Sequence, residues 1–402
     1  MKILIADKFQ PSGIAALKEL GCEVVSNPDL APDTLPDAVV QHDPDILIVR
    51  STKVPAPVFD RAKKLALVIR AGAGYDTIDV EAASARGIFV SNCPGKNSIA
   101  VAELTWGLIL ACDRRIAEQS ADLKAGRWDK KTYSKAQGIY GRTLGIIGVG
   151  QIGEAVIERA HAFGTPVVAW SRSLTDATAR ELGVTRANSP IEVAKISDIV
   201  TLHVAATPDT KALANKDFFD AMKPGAIFIN TTRGSVVDES ALHAAIKEKN
   251  IRAGLDVFAH EPGASDNASD IPVAREPAVT GTHHIGASTE QAQEAIATEA
   301  VRIVTEYKHS GHIPNVVNRQ SKSRATRLLS IRHLNKPGVL AHVVGEIGKA
   351  RINIEEMENI IYSGGFAACA RIQLDAEPTQ ETMDRINSGS EHVLSVDLTV
   401  IE

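Results

Sequence analysis

The chain has 402 residues, 44% of them apolar and 23% charged, with a formal net charge of −5. That length and apolar content suit two or three globular domains with buried cores and exclude a fibrous or disordered chain. The mild acidic excess argues against a dedicated nucleic-acid binder, and no apolar run approaches the roughly 18 residues a membrane helix needs.

Residues 3–6 read as a strand. Their apolar run is too short for a signal-peptide core, so a cytoplasmic location is expected. Residues 11–20 read as a helix ended by Gly21, and 22–25, 46–49 and 67–69 are further short strands. Strands that are apolar throughout, alternating with helices, predict a parallel sheet covered on both faces. Residues 98–116 read as one long helix, because Ala100, Leu104, Leu108 and Ala111 recur at helical spacing. After the polar stretch 126–131, strands at 143–147, 166–170, 198–202 and 226–230, and around 253–257 and 278–280, predict a second doubly wound unit. Helical patterning returns at 288–309.

The stretch 318–327 has four basic residues and no acid, and reads as a solvated linker. Strands at 328–333, 352–361, 366–374 and 393–400, with helices at 338–349 and 379–387, predict a small α+β domain of the ferredoxin-like kind. The four cysteines, Cys22, Cys93, Cys112 and Cys369, form no C-x-x-C pair. They are expected to be reduced thiols packed as small apolar residues, with no metal site.

The sharpest local motif is Gly148-Val149-Gly150-Gln151-Ile152-Gly153, set between the strand ending at Ile147 and a helical pattern over 154–163. Gly148 permits a tight turn, Gly150 lets backbone approach a pyrophosphate, and Gly153 lets helix pack on strand. The motif opens that helix, whose N-terminus favours the phosphates, and Gln151 and Ile152 are expected against the cofactor. An acid to hold the ribose hydroxyls is expected about 20 residues on. Instead Trp170 is followed by Ser171-Arg172-Ser173. Arg172 suits a 2′-phosphate, so NADP is expected to be accepted; the alternative is NAD with the guanidinium stacked on the adenine.

Three later segments carry chemistry at strand ends: Asn230-Thr231-Thr232-Arg233-Gly234, Asp256-Val257-Phe258-Ala259-His260-Glu261-Pro262 and Thr282-His283-His284-Ile285-Gly286. Ligand sites of doubly wound sheets lie at those carboxyl ends. Together with the Gly-rich turn, these segments resemble the D-2-hydroxyacid dehydrogenase family over residues 1–318. The resemblance implies that Arg233 binds the substrate carboxylate and that Glu261 pairs with a catalytic His284. It also places Asp256 at the nicotinamide carboxamide, with Thr231, Thr232 and Gly286 against the cofactor. Where the family usually has Pro, His283 stands. An imidazole in this setting takes the C2 hydroxyl proton as hydride leaves C2, and Glu261 orients it and favours its protonated form.

Within the family, Leu47-Ile48-Val49-Arg50-Ser51, Arg70-Ala71-Gly72-Ala73-Gly74-Tyr75-Asp76 and Asn92-Cys93-Pro94-Gly95-Lys96-Asn97-Ser98 resemble the branch that oxidises D-3-phosphoglycerate at the start of serine biosynthesis. The resemblance implies that amides at Gly72 and Ala73 hold the carboxylate and that Arg50 and Arg70 face the phosphate. It further implies that Lys130, in the segment 128–131, reaches a neighbouring subunit's site. Residues 328–402 resemble an ACT domain, which implies an L-serine effector at His333, Asn335 and Asn353, and a homodimer or homotetramer.

The expected architecture is therefore α/β, two doubly wound Rossmann-like domains plus a C-terminal ferredoxin-like ACT domain. The substrate domain is expected at 1–96 and 284–318, the NAD(P) domain at 97–283, and the linker with the regulatory domain at 319–402. The alternative activity is an NADPH-dependent reductase of hydroxypyruvate or glyoxylate, favoured by Ser171-Arg172. A nucleotide-sensing protein with no catalysis is argued against by Arg233, Glu261 and His284, since a sensor needs no proton relay.

Overall fold

A computed structural model describes residues 1–262, 270–320 and 323–401. Its chain divides into two units, Met1–Asn318 and Arg319–Glu402. Two residues of the 318–327 linker, 321 and 322, lie outside the described set.

Short runs of Ile, Leu and Val build the first sheet: β1 (Lys2–Ile5), β2 (Glu23–Ser26), β3 (Ile46–Val49), β4 (Leu67–Arg70) and β5 (Phe89–Asn92). All are parallel, in the order β2-β1-β3-β4-β5. Alternate residues serve opposite faces, as a two-residue period requires. Leu4, Leu47, Val49 and Val68 enter one core, and Ile3, Ile5, Ile46, Ile48 and Ile69 the other. The second sheet comprises β6 (Leu144–Ile147), β7 (Val167–Trp170), β8 (Thr185–Arg186), β9 (Ile199–Leu202), β10 (Ile227–Asn230), β11 (Arg252–Leu255) and β12 (Val279–Gly281). Its parallel order, β12-β11-β10-β9-β6-β7-β8, reverses direction between β6 and β9, the switch point where nucleotides bind in doubly wound sheets.

The chain passes between the sheets twice. It leaves the first at Cys93–Asn97 and enters the helix Ser98–Arg114, which packs Trp106, Leu108 and Ile109 into the second sheet's core. It returns after β12 into the helix Glu290–Ser310, whose Ile296, Ala300, Ile303 and Val304 cover the first sheet beside Leu17. The expectation of one helix through residue 116 is corrected. Arg115 turns left-handed at φ 53°, its N–H bonded to the Ala111 carbonyl, and a separate helix runs over Ile116–Lys124 with no buried residue. The Arg115 guanidinium lies over the Tyr133 ring, 4.8 Å from its centroid. No Gly or Pro marks this break, so periodicity ran through it.

The second unit has β13 (Arg327–Leu334), β14 (Ile354–Ile361), β15 (Ala367–Leu374) and β16 (Val393–Val400), with helices Val339–Lys349 and Gln380–Ser388. The sheet is antiparallel, in the order β14-β15-β13-β16. Leu329, Ile331, Ala370 and Ile372 meet Val343, Ile347 and Ile386 of the helices in one core. No helix among the described residues is long and apolar enough to cross a membrane. Burial pushes the Cys93 and Cys112 thiols up to about 12.

Near the first crossing, Glu299 sits buried on the returning helix. Its carboxylate accepts from Arg302 at 2.6 Å and Asn315 at 2.8 Å, and faces Lys96 at 3.3 Å. Arg302 foremost, then Asn315 and Lys96, hold the carboxyl at about 2 against the effect of burial. A depressed carboxyl stabilises the fold above its unfolded pKa and loses that contribution as pH falls through its folded value. Glu299→Gln is therefore expected to lower the Tm at pH 7. The gap to the parent protein should close as pH drops from 4.5 toward 2, measured by thermal denaturation across that range.

Candidate active site

The Gly-rich turn follows β6 directly. Gly148 has φ 99°, and a Cβ there would come within 2.5 Å of the His203 carbonyl oxygen. A Cβ at Gly153 would press into the Gly148 carbonyl, so helix and strand approach only because 153 is Gly. Gly150 caps the helix Gln151–Ala162, and a Cβ on it would meet nothing within 4 Å. No side chain caps this helix. The N–H groups of Gln151, Ile152 and Gly153, in the helix's first turn, have no intrahelical acceptor, which fits a dinucleotide pyrophosphate. The helix begins three residues before the periodic pattern read from sequence. Ser171 and Arg172 follow β7, and Arg172 is largely exposed, 3.5 Å from Asp209 across the switch point. Sequence reading missed Asp209, because this acid comes from the turn after β9 and not from the end of β7.

The three segments read as candidate chemistry meet beyond β10, β11 and β12. Asn230, buried at the end of β10, accepts from the Thr232 amide and hydroxyl and donates to the Arg233 carbonyl. This closes the turn that projects Arg233. Thr231 Oγ1 lies 3.2 Å from Thr105 Oγ1, so both threonine hydroxyls are engaged within the fold. A Cβ at Gly234 would overlap the Phe258 carbonyl and the Ala259 amide. The 258–261 loop thus lies directly on Gly234, and Glu261 comes with it.

Glu261 Oε1 accepts the Phe258 N–H at 3.1 Å, and Oε2 lies 2.8 Å from His284 Nδ1. Burial would raise the Glu261 carboxyl, but the His284 and Phe258 hydrogen bonds bring it below the usual range. His284 is left-handed at φ 54°, a conformation that costs about 1–3 kcal/mol outside Gly. Asp256 compensates. Its carbonyl accepts the His284 N–H at 2.8 Å, and its carboxylate accepts from Thr282 Oγ1, Ile285 N and Gly286 N at 2.6, 2.8 and 2.9 Å. At 1% exposure, Asp256 first of all braces the loop that presents the histidine. Among the described residues nothing hydrogen-bonds His284 Nε2, so this nitrogen is available for proton exchange.

Loops of the first sheet complete the cleft. Arg70 is half-buried, and desolvation with the Arg233 charge pulls its pKa down to about 10. Its Nε has no hydrogen-bond partner. Gly72, at φ 152°, leaves room for this guanidinium, and Gly74 leaves room for Arg233 and Asp76. Arg233 grips Asp76 side-on, Nε to Oδ2 at 3.1 Å and Nη2 to Oδ1 at 3.0 Å, while Nη1 donates to the Thr232 carbonyl at 2.8 Å. Asp7 accepts the amides of Arg50, Ser51 and Thr52 and so sets the Arg50 turn. Arg50 Nη2 reaches toward Ser288 at 3.4 Å. Of the two amides expected to hold a carboxylate, Gly72 N–H turns back to the Arg70 carbonyl, whereas no acceptor for Ala73 N–H is found among the described residues.

Other expected residues are not brought here. Asp129 caps the short helix Lys130–Tyr133, and Trp128 is 82% exposed. Thr132 and Lys135 line a cavity with Gly225, Ile227 and Arg252, at the amino ends of the second sheet's strands. That end of the sheet is opposite the cleft, so Lys130 lies away from its own chain's site. In the C-terminal unit His333 is 1% exposed, with ring nitrogens 2.8 Å from the Leu334 carbonyl and 3.1 Å from Asn359 Oδ1. Asn335 donates to the Gly365 carbonyl, and Asn353 to Glu355. Leu334 registers with Ala367, and Ile354 with Leu374, at the other end of β15. At about 3.4 Å per residue, Asn335 and Asn353 stand roughly 30 Å apart along the sheet, so one chain does not gather the three.

Comparison with known proteins matches residues 106–286 to the family described as D-isomer specific 2-hydroxyacid dehydrogenase, NAD binding domain. The chain is 38% identical over 369 residues to "D-3-phosphoglycerate dehydrogenase" of Methanocaldococcus jannaschii, which covers 91% of this chain and 68% of that protein. It is 39% identical over 319 residues to the protein of the same name from Mycobacterium tuberculosis, covering 79% of this chain and 58% of the relative. The chain thus spans about three fifths to two thirds of these relatives' length. Among solved structures, an NADPH-dependent glyoxylate/hydroxypyruvate reductase from Sinorhizobium meliloti, in complex with NADP and malonate, is 28% identical. It superposes with a TM-score of 0.67 over 80% of this chain and 99% of that one.

Contact between Gly234 and the 258–259 backbone sets the Glu261–His284 pair. Gly234→Ala is expected to displace that loop and lower kcat about 100-fold, with NADH affinity held within about twofold. Steady-state rates and NADH fluorescence titration check this.

Proposed function

The chain belongs to the D-isomer specific 2-hydroxyacid dehydrogenase family, and we propose that it oxidises D-3-phosphoglycerate to 3-phosphohydroxypyruvate. The observation that carries this reading is the convergence of Arg50, Arg70 and Arg233 on one cleft, with Arg70 Nε buried and unpartnered. A buried guanidinium N–H without an acceptor calls for an anion. With Arg50 and Arg233 beside it, the cleft suits a substrate with a carboxylate at one end and a phosphate at the other. The first two relatives named above carry the corresponding name.

The chain's own residues divide the chemistry. The free N–H groups of Arg233, with Ala73 N–H, dock the carboxylate and orient C2. His284 Nε2 takes the proton of the C2 hydroxyl, and Glu261 at Nδ1 holds the imidazole plane and offsets its new charge. Arg50 and Arg70 bind the phosphate. NAD(P)+, bound on the Gly-rich turn, supplies the acceptor for the hydride that leaves C2. Asp256 braces the 282–286 loop and faces the carboxamide side of the cofactor site. In this reading residues 1–96 and 284–318 are the substrate domain and 97–283 the nucleotide domain.

Residues 319–402 serve as an ACT domain in a homodimer or homotetramer. Because Asn335 and Asn353 lie at opposite ends of the sheet, an L-serine site forms where two copies bring unlike ends together. His333 then backs Asn335 from the core. A second reading, NADPH-dependent reduction of hydroxypyruvate or glyoxylate, is favoured by Arg172, which follows β7 and is largely exposed.

Initial rates on D-3-phosphoglycerate, hydroxypyruvate and glyoxylate, with both cofactor couples and with or without L-serine, separate these readings. Phosphoglycerate turnover depressed by L-serine is expected. Fast NADPH-dependent hydroxypyruvate reduction with phosphoglycerate ignored selects the second reading. His284→Ala should lower kcat by about 10²–10⁴-fold while cofactor binding persists, and unchanged turnover would remove the proton relay from His284.

A further inference from the structure

Asp76 has no part in the proton and hydride chemistry, yet it makes the most extensive contact to Arg233. It lies on the loop after β4, whereas Arg233 follows β10, so the pair spans the carboxyl ends of the two sheets. The contact is bidentate, at 3.1 and 3.0 Å. A guanidinium has five N–H groups. Asp76 takes one on Nε and one on Nη2, and the Thr232 carbonyl takes one on Nη1. Two remain, one on each terminal nitrogen, and these are the pair a carboxylate ligand needs. Asp76 and a substrate thus hold different N–H groups of the same guanidinium and need not compete.

The backbone is shaped for this contact. A Cβ at Gly74 would overlap Arg233 Nη2 and lie 3.0 Å from Asp76 Oδ1, so only Gly admits the pair. Asp76 also offsets like-charge repulsion between Arg233 and Arg70. Burial would raise its carboxyl, but the Arg233 fork, with Arg70 nearby, holds it below the usual range.

We propose that Asp76 is a positioning residue that clamps the Arg233 guanidinium from the opposite sheet and aims its two remaining N–H groups at the substrate carboxylate. Its effect is on carboxylate recognition, not on the proton relay. This rests on Arg233 being the carboxylate-binding residue of the reading above.

The test is a KM-against-kcat comparison of Asp76→Asn in the full chain, with oxalate as a non-reacting carboxylate probe. The expected result is a rise of about 10-fold in KM for the 2-hydroxy or 2-oxo acid and a parallel rise in the oxalate inhibition constant. Turnover at saturation and NADH affinity should change less than about threefold. In an Arg233→Lys background, which removes the fork, Asp76→Asn should add less than about twofold. Unchanged KM and oxalate inhibition overturn the proposal. So does a fall in KM, which would make Asp76 a competitor of the substrate, or a full-sized effect in the Arg233→Lys background. If Arg233→Lys alone leaves KM and kcat untouched, the carboxylate reading of Arg233 fails instead. Should the Asn variant lose NADH binding, Asp76→Ser repeats the comparison.

Discussion

The site depends on the Asp256 carboxylate. Nearly removed from solvent at the end of β11, it takes three hydrogen bonds from the 282–286 loop, while its carbonyl takes a fourth from His284. A buried carboxylate without such donors would be costly, and a left-handed histidine without such a brace would relax. Each resolves the other's cost. The same loop carries the chain back to the first sheet through the helix Glu290–Ser310, so the histidine's presentation and the return crossing are one piece of structure.

Around that brace, the cleft is assembled from loops of unlike origin held by close backbone approach. Gly234 lets the Glu261 loop lie on the Arg233 turn, and Gly72 and Gly74 let the Arg70 and Arg233 guanidiniums lie close on the loop after β4. These glycines matter for what they leave out. Each admits a neighbour where a methyl group would collide, and a displacement of about 1 Å in such a site costs rate steeply. Burial first, then the charges of Arg233 and Arg50, lowers the Arg70 pKa, and Asp76 is an acid that opposes the shift. Arg70 Nε stays without an acceptor there, a donor that an anionic ligand can use.

The C-terminal unit has a different logic. Its core is a single layer of helices on an antiparallel sheet, built by strict alternation in β13 and β15. The polar residues singled out in it stand at opposite strand ends, and His333 is consumed inside the fold. One copy offers no convergent polar site from these three residues.

How much of this was legible in the sequence follows from the range of the forces involved. Apolar periodicity and glycine placement are local, so strands, most helices and the nucleotide turn could be read directly. Chain order alone also indicated that Arg233, Glu261 and His284 lie at successive strand ends. The break at Arg115 was not legible, because it is stabilised by Tyr133, distant in sequence, with no Gly or Pro to mark it. Nor was the use of Asp256 as a brace, the nearness of Asp209 to Arg172, or the Asp76–Arg233 clamp. Hydrogen bonds and ion pairs act over a few ångströms, and only the folded arrangement of the two sheets brings residues 76 and 233 within that distance. The sequence by itself determined which side chains were present and which local shapes they favoured; tertiary structure decided which of them face one another, and so which carboxylate binds Arg233 and which is spent holding a loop.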